Sequence, residues 1–302
     1  MTRRAWILML ALAALWGASY MFVEITLDGG LSSTFLVFAR TALGALVLAP
    51  VALSRGAFAP ARRHLPLLGF IALVQITGPF LLITVGQHHV TSSMAGILVS
   101  SAPIFTTIIA TFYAHDDRLG PMGIAGIGVG MLGIALLFGV DLGGSAETLL
   151  AGGGILLASL DYAVGATLSK RRLSDVPPVG IAASIIGLGA LSLAPLAPFT
   201  APEAMPSLGT WAALLALGAG GTGLAFLIFY VLNADIGPSR ASVVAYIAPV
   251  FSVIYGVTLL DESFGAGTAA GLVLILAGSW MAADGRVPWR RRRAAVLAEQ
   301  PA

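Results

Sequence analysis

Polar residues along this chain come in short clusters, and ten long, almost continuously apolar stretches run between them. They cover roughly residues 6–27, 35–53, 65–86, 93–112 and 122–140, then 149–168, 179–199, 211–232, 241–260 and 265–283. As an α-helix rising 1.5 Å per residue, each can cross the ~30 Å hydrocarbon core of a bilayer. Membrane strands would be about ten residues long and alternate apolar with polar, which these stretches do not. In lipid the backbone must satisfy its own hydrogen bonds. The pattern therefore predicts an all-α polytopic membrane protein with ten transmembrane helices.

The pattern also occurs twice. LGALVLAP at 43–50 returns as LGALSLAP at 188–195, with seven of eight residues equal. At an offset of 145 or 146 Pro103 and Phe105 match Pro249 and Phe251, Ser93 matches Ser239, and Phe80 matches Phe226. Gln87 pairs with Asn233, Trp16 with Tyr162, and Gly126 and Gly133 with Gly271 and Gly278. Matches in the same order over most of both halves indicate one five-helix unit written twice. We take 1–142 as the first repeat, 146–285 as the second, and 286–302 as a basic cytoplasmic tail. Because five is odd, the second copy must enter the membrane from the opposite face. The expected fold is thus two inverted five-helix repeats, an arrangement that puts a transport site near the midplane where they meet.

Composition and charge agree with a membrane protein and orient it. Of 302 residues 58% are hydrophobic and 10% charged, against about 25% charged in soluble domains, and the mean hydropathy is +0.94. Fifteen of the sixteen Lys and Arg residues fall before the first stretch, in the even-numbered loops or after the last. These include Arg55, Arg118, Lys170, Arg240 and the run Arg290–Arg293. The odd-numbered loops hold Asp28, Asp141, Glu147, Glu203, Asp261 and Glu262 instead. Under the positive-inside rule both termini are cytoplasmic, with a bacterial inner membrane the expected location. Arg3-Arg4 before an apolar run could start a cleaved signal peptide. The run is long enough to span and has a partner in the second half, which favours an uncleaved helix. Absence of cysteine removes disulfides, thiolate metal sites and cysteine nucleophiles. His64, His88, His89 and His115 are too scattered for zinc. No metal, cofactor or nucleic-acid partner is expected; the partners are the bilayer, a small-molecule substrate and, if the chain is not a monomer, a second copy in a homodimer.

Several residues stand out against the apolar background. Arg40 is the one basic residue inside a span; it could bind a substrate carboxylate, reach outward to headgroups or pair with Glu24. Asp161 lies mid-span, and intramembrane ionisable residues are functional candidates by default. Asp161 and Glu24 are the proton-coupling candidates, with a hydrogen-bonded structural Asp the alternative for the first. Trp16, Tyr20 and Tyr162 could sandwich an apolar or cationic solute, or pack against lipid. Gln75, Thr77, Phe80, Ser100, Ser101, Thr222 and Tyr246 complete the candidate substrate contacts, although Ser and Thr also serve as interhelical contacts. Gly78-Pro79 is expected to break the third span, and the GAGGTG run at 218–223 occupies the corresponding place in the eighth. Paired interruptions point to a transport site; close packing is the alternative. Pro79, Pro103, Gly220, Gly221 and Pro249 are the candidate kinks or gates.

The doubled ten-helix plan, WGASY at 16–20, APIF at 102–105 and APVF at 248–251 resemble the drug/metabolite transporter superfamily. The resemblance is to its EamA-type members, with YddG-type amino-acid exporters as neighbours, and it covers nearly the whole chain. It implies a non-enzymatic secondary carrier exporting small metabolites by alternating access: amino acids, aromatic ones included, or amphipathic drugs. An intramembrane enzyme, which would need a catalytic cluster at membrane depth, and a passive channel for small polar solutes are the alternatives.

Overall fold

The computed structural model describes residues 1–113, 120–140 and 145–283. His115, Arg118, Asp141, Arg286, the run Arg290–Arg293 and the tail at 286–302 lie outside them. Among the described residues every regular element is helical. The helices used below are α1 (Arg3–Asp28), α2 (Ser33–Ser54), α3 (Phe58–Gly86), α4 (Ser92–Val99), α5 (Ala102–Tyr113), α6 (Pro121–Val140), α7 (Ala146–Arg172), α8 (Pro178–Leu193), α9 (Leu208–Ile236), α10 (Val244–Leu259) and α11 (Ala266–Ala282). Seven helical stretches are long and apolar enough to cross a membrane, with α4 and the first part of α5 counted as one; α8, α10 and α11 are shorter apolar helices.

Helix starts follow local chemistry. The side chains of Thr2, Ser32, Thr91, Ser145 and Ser207 each accept a hydrogen bond from the backbone N–H three residues on, at 3.1–3.2 Å. A donor that the first turn cannot pair internally is thereby satisfied. The outward faces are apolar: Leu150 is 76% and Leu46 71% exposed, while Leu36 and Leu48 on the same helix as Leu46 are fully buried. Water would penalise such a surface, and hydrocarbon does not.

Packing crosses the midpoint of the chain. α1 lies chiefly against α10, α2 against α8 and the middle of α9, the second part of α3 against α7, and α6 against α11. The α6–α11 contact is backbone on backbone. A Cβ on Gly278 would collide with Gly130, and one on Gly126 with Met281 and Ala282. In lipid, where apolar surface gains little by hiding, such close approach is what holds two helices together.

The four expected interruptions or kinks take unequal forms. Gly78-Pro79 does not break α3: Leu73–Thr77 widens into a π turn and the helix continues through Gly86. The Gly78 N–H bonds the Leu73 carbonyl, and a Cβ at Gly78 would stand 2.9 Å from that oxygen. The turn therefore needs glycine there, and Pro79 follows in a place where its missing N–H is absorbed. The GAGGTG run lies in a second π segment, Ala216–Leu224. Pro103 does not kink a continuous helix. The fourth span is divided at Ser100–Ser101, and Pro103 sits in the first turn of α5, where proline is tolerated. Pro249 does lie inside an unbroken helix, α10.

At one end of the bundle the start of α3 is tied to the loop after α7, His64 Nε2–H donating to Asp175 Oδ2 at 3.0 Å. This hydrogen bond, with help from nearby Arg63, holds the Asp175 carboxyl below its usual range. A carboxyl whose pKa falls on folding stabilises the fold above the ordinary Asp pKa, about 3.9, and loses that contribution as the pH drops further. Asp175→Asn should flatten the acid limb of a plot of melting temperature against pH; an unchanged limb would show that the tie adds nothing. Gly278→Leu should lower stability by about 1–3 kcal/mol through overpacking, read as a lower melting temperature in detergent, whereas an unaltered melt would contradict the α6–α11 contact.

Candidate functional site

The helices surround a central cavity of about 580 Å³. Aromatic rings are prominent in its wall: Trp16 and Tyr20 from α1, Phe80 from α3, Tyr162 from α7, Phe226 and Phe229 from α9, and Tyr246 from α10. Trp16 does not stack on Tyr162. Its ring meets Phe229 at 5.4 Å and Phe226 edge-on at 6.1 Å, a favourable geometry for ring quadrupoles.

One charge enters this wall among the described residues, and it is Arg40 on α2. The side chain is buried, at 6% exposure. Its guanidinium carbon lies 3.8 Å from the centre of the Phe80 ring, so one face of the cation rests on that ring. Nε–H donates to Thr222 Oγ1 at 3.3 Å. Among the described residues the other N–H groups have no protein partner, and no carboxylate pairs with Arg40. Tyr20 and Tyr162 stand within electrostatic range of the guanidinium, and neither phenol makes a hydrogen bond within the described part of the protein.

The π segment of α9 sets this arrangement. Within the π segment Thr222 lies five residues, one wide turn, after Leu217, and its Oγ1–H donates to the Leu217 carbonyl at 3.2 Å. With its proton committed, the Thr222 oxygen offers a lone pair to Arg40. Glycines bring the two helices close enough: a Cβ on Gly218 would stand 2.6 Å from Leu43 Cβ, and one on Gly44 would stand 2.7 Å from Thr222 Cγ2. Gly221 allows a similar approach of α9 to α1, since its Cβ would meet Ser19 Oγ at 2.5 Å. A Cβ on Gly220 would have Leu15 as its nearest neighbour, 3.8 Å away, so this glycine is not sterically required.

Of the residues singled out by sequence, Gln75, Ser100 and Tyr246 also line the cavity, as do Pro103, Gly221 and Pro249. Thr77, Ser101 and Thr222 do not reach its wall. Thr77 shares a hydrogen bond with Ser192 on α8 at 3.0 Å, and Ser101 Oγ donates to the Leu98 carbonyl at 2.7 Å. Pro79 is buried behind Phe80 in the chain and also lies outside. Asp161 points away from the cavity: Oδ2 would lie 3.5 Å from a Cβ on Gly78, beside the wide turn of α3. Glu24 does not pair with Arg40. Its Oε2 accepts from Gln87 Nε2 at 3.3 Å, and the same nitrogen donates to the Tyr20 carbonyl at 2.9 Å.

Sequence reasoning missed Phe226, Phe229, Ser19, Thr106, Thr107 and Ser242 in the wall. Phe226 was visible as the partner of Phe80, and helical spacing from it would have found Phe229. It also passed over Glu262, whose two oxygens accept from the N–H groups of Ser92 at 2.7 Å and Ser93 at 3.0 Å. This carboxylate caps the first turn of α4 and is favoured by the helix dipole. Gly256 leaves room for it, because a Cβ there would collide with Glu262 and Ser93. α1, α4 and α10 are thus drawn together at that end, and the cavity extends toward the opposite end, past Thr107 and Ser242 to Ala283.

Comparison with known proteins agrees with this architecture. The model of the EamA-like transporter family matches residues 3–139 and again 150–283. An uncharacterized inner membrane transporter, YedA, of Escherichia coli is 27% identical over 84% of this chain and 82% of its own. A probable terminal-alkyne amino-acid exporter of Streptantibioticus cattleyicolor is 25% identical over 98% of both chains. A crystal structure 21% identical in sequence superposes with a TM-score of 0.68, covering 93% of this chain and 98% of the other, which shows a shared fold.

Glu262→Ala should destabilise the protein by about 1–2 kcal/mol through loss of a charged cap, read in a thermal melt, with Glu262→Asp recovering part of it. Equal melts for all three proteins would mean that the cap contributes nothing.

Proposed function

The chain belongs to the EamA-like transporter family and carries several helices long and apolar enough to cross a membrane, and on that premise we propose that it is a secondary carrier exporting small carboxylate-bearing metabolites by alternating access. Amino acids are one such class, and the name of the Streptantibioticus relative points the same way. The observation that carries the reading is Arg40: a buried guanidinium with free N–H groups facing an aromatic chamber. An arginine at the centre of a span costs ~2.5–3.5 kcal/mol on insertion scales. A carboxylate arriving from water offsets that cost through two charge-assisted hydrogen bonds in one plane.

In this reading the ten apolar segments are two inverted five-helix repeats over 1–142 and 146–285, and both termini are cytoplasmic. The cavity then extends toward the cytoplasm, and the Glu262 cap closes the outer end. The wide turns of α3 and α9 are the places where the helices bend as the bundle rocks, supported by their corresponding positions in the echo and by the frequency of π turns at functional sites. Asp161 beside the α3 turn is the coupling candidate: gaining or losing its proton would alter the helix that carries Phe80. Thr222 acts as a positioning residue for Arg40.

Counterflow into proteoliposomes tests the proposal. Arg40→Gln should lower uptake of a carboxylate substrate by more than about tenfold, the loss of a charge-assisted pair, with Arg40→Lys intermediate. Saturable uptake that is indifferent to both substitutions would refute the role of Arg40. Asp161→Asn should flatten the pH dependence of uptake; a profile like that of the unaltered protein would exclude Asp161 as the coupling group.

A further inference from the structure

The charged hydrogen-bonding groups in the cavity are all donors, while its acceptors are neutral hydroxyl oxygens such as those of Ser19, Ser100, Thr106 and Thr107, whose protons go to backbone carbonyls. Around Arg40 stand the free guanidinium N–H groups and the unpartnered hydroxyls of Tyr20 and Tyr162. All of them can donate, and the guanidinium can do nothing else. Among the described residues no Asp or Glu lines the cavity. Asp161 faces Gly78, and Glu24 is held by Gln87 outside the wall. The buried oxygen of Gln75, which could accept, is turned against Gly165 on α7 and shielded from the cavity. A molecule whose polar end carries only acceptors therefore finds every donor around Arg40 matched. A zwitterion does not, because its ammonium sits one carbon from the carboxylate. It would enter a low-dielectric corner beside a guanidinium, with no anion to pair with. Bringing an ionised group out of water without a partner costs several kcal/mol.

We propose that the cavity selects small apolar monocarboxylates lacking an ammonium group, such as aryl-substituted or branched acids, over the amino acids with the same side chain. The inference rests on the carboxylate reading of Arg40 given above and narrows it. Trp16, Phe80, Phe226 and Phe229 take the apolar body. Arg40 takes the carboxylate in the plane left open by Phe80, and Tyr20 and Tyr162 donate to its outer lone pairs.

The test uses the purified full chain in detergent and three probes of one shape: 3-phenylpropionate, phenylalanine and 2-phenylethylamine. Binding is followed by tryptophan fluorescence, to which Trp16 in the wall should respond, and by thermal shift. The acid should bind at least about tenfold more tightly than the amino acid, and the amine more weakly than either. Arg40→Gln should remove most of the affinity for the acid. Tyr162→Phe, which keeps the ring and deletes a donor, should weaken the acid several-fold while leaving the amine unchanged. If phenylalanine binds as well as or better than the acid, and Arg40→Gln abolishes both, the selectivity proposed here is wrong and the carboxylate role of Arg40 stands. If neither binds, or binding ignores Arg40→Gln and the milder Arg40→Lys alike, both readings fail. Should Arg40→Gln not fold, Arg40→Lys and Tyr162→Phe carry the same comparison.

Discussion

A backbone or a charge inside hydrocarbon has no water to fall back on, and most features of this protein follow from that scarcity. Helices exist because each backbone donor needs an acceptor on its own segment. Where a helix departs from regular pairing, something nearby takes up the freed groups. In α9 the π segment sets Thr222 one wide turn after Leu217, whose carbonyl takes its hydroxyl proton, and Thr222 in turn holds Arg40. In α3 the Gly78 N–H reaches back to Leu73 across a wide turn that prepares the helix for Pro79. The wide turn of α9 and the charged place are therefore one structure, built where α2 and α9 meet, while the wide turn of α3 lies against α7 and α8.

Small residues make that structure possible. With little to gain from hiding apolar surface, helices in lipid associate by close packing, and the glycines show where it is needed. Gly44 and Gly218 bring α2 to the wide turn of α9, Gly221 admits Ser19, and Gly278 lets α11 lie on α6. Gly220, by contrast, touches little, so glycine content alone does not mark a contact. The same economy appears at the capped end of the bundle, where Gly256 leaves room for Glu262 to reach the first turn of α4.

The site reading depends on what surrounds a charge more than on the charge itself. Arg40 and Asp161 looked equivalent as intramembrane ionisable residues. They differ in neighbourhood: the guanidinium rests on Phe80 at the cavity wall, while the carboxylate stands behind the wall beside Gly78. That difference separates a group able to meet a solute from one able to respond to the bending of a helix.

Hydropathy and charge placement alone determined that the chain is helical and membrane-spanning, where its apolar helices run, and which residues are anomalous in lipid. Those properties are written locally, as length, apolarity and isolated charge, and a helix in lipid has no other way to satisfy its backbone. Pairing was decided elsewhere. Arg40 with Thr222 and Phe80, Glu24 with Gln87, Glu262 with Ser92 and Ser93, and Trp16 with Phe229 all join residues at least 40 positions apart in the chain. Which face a residue presents depends on helix rotation and on local widening such as that at Leu73–Thr77. Both are set by neighbouring helices, and so the identity of the cavity wall became legible only once all of the helices were packed together.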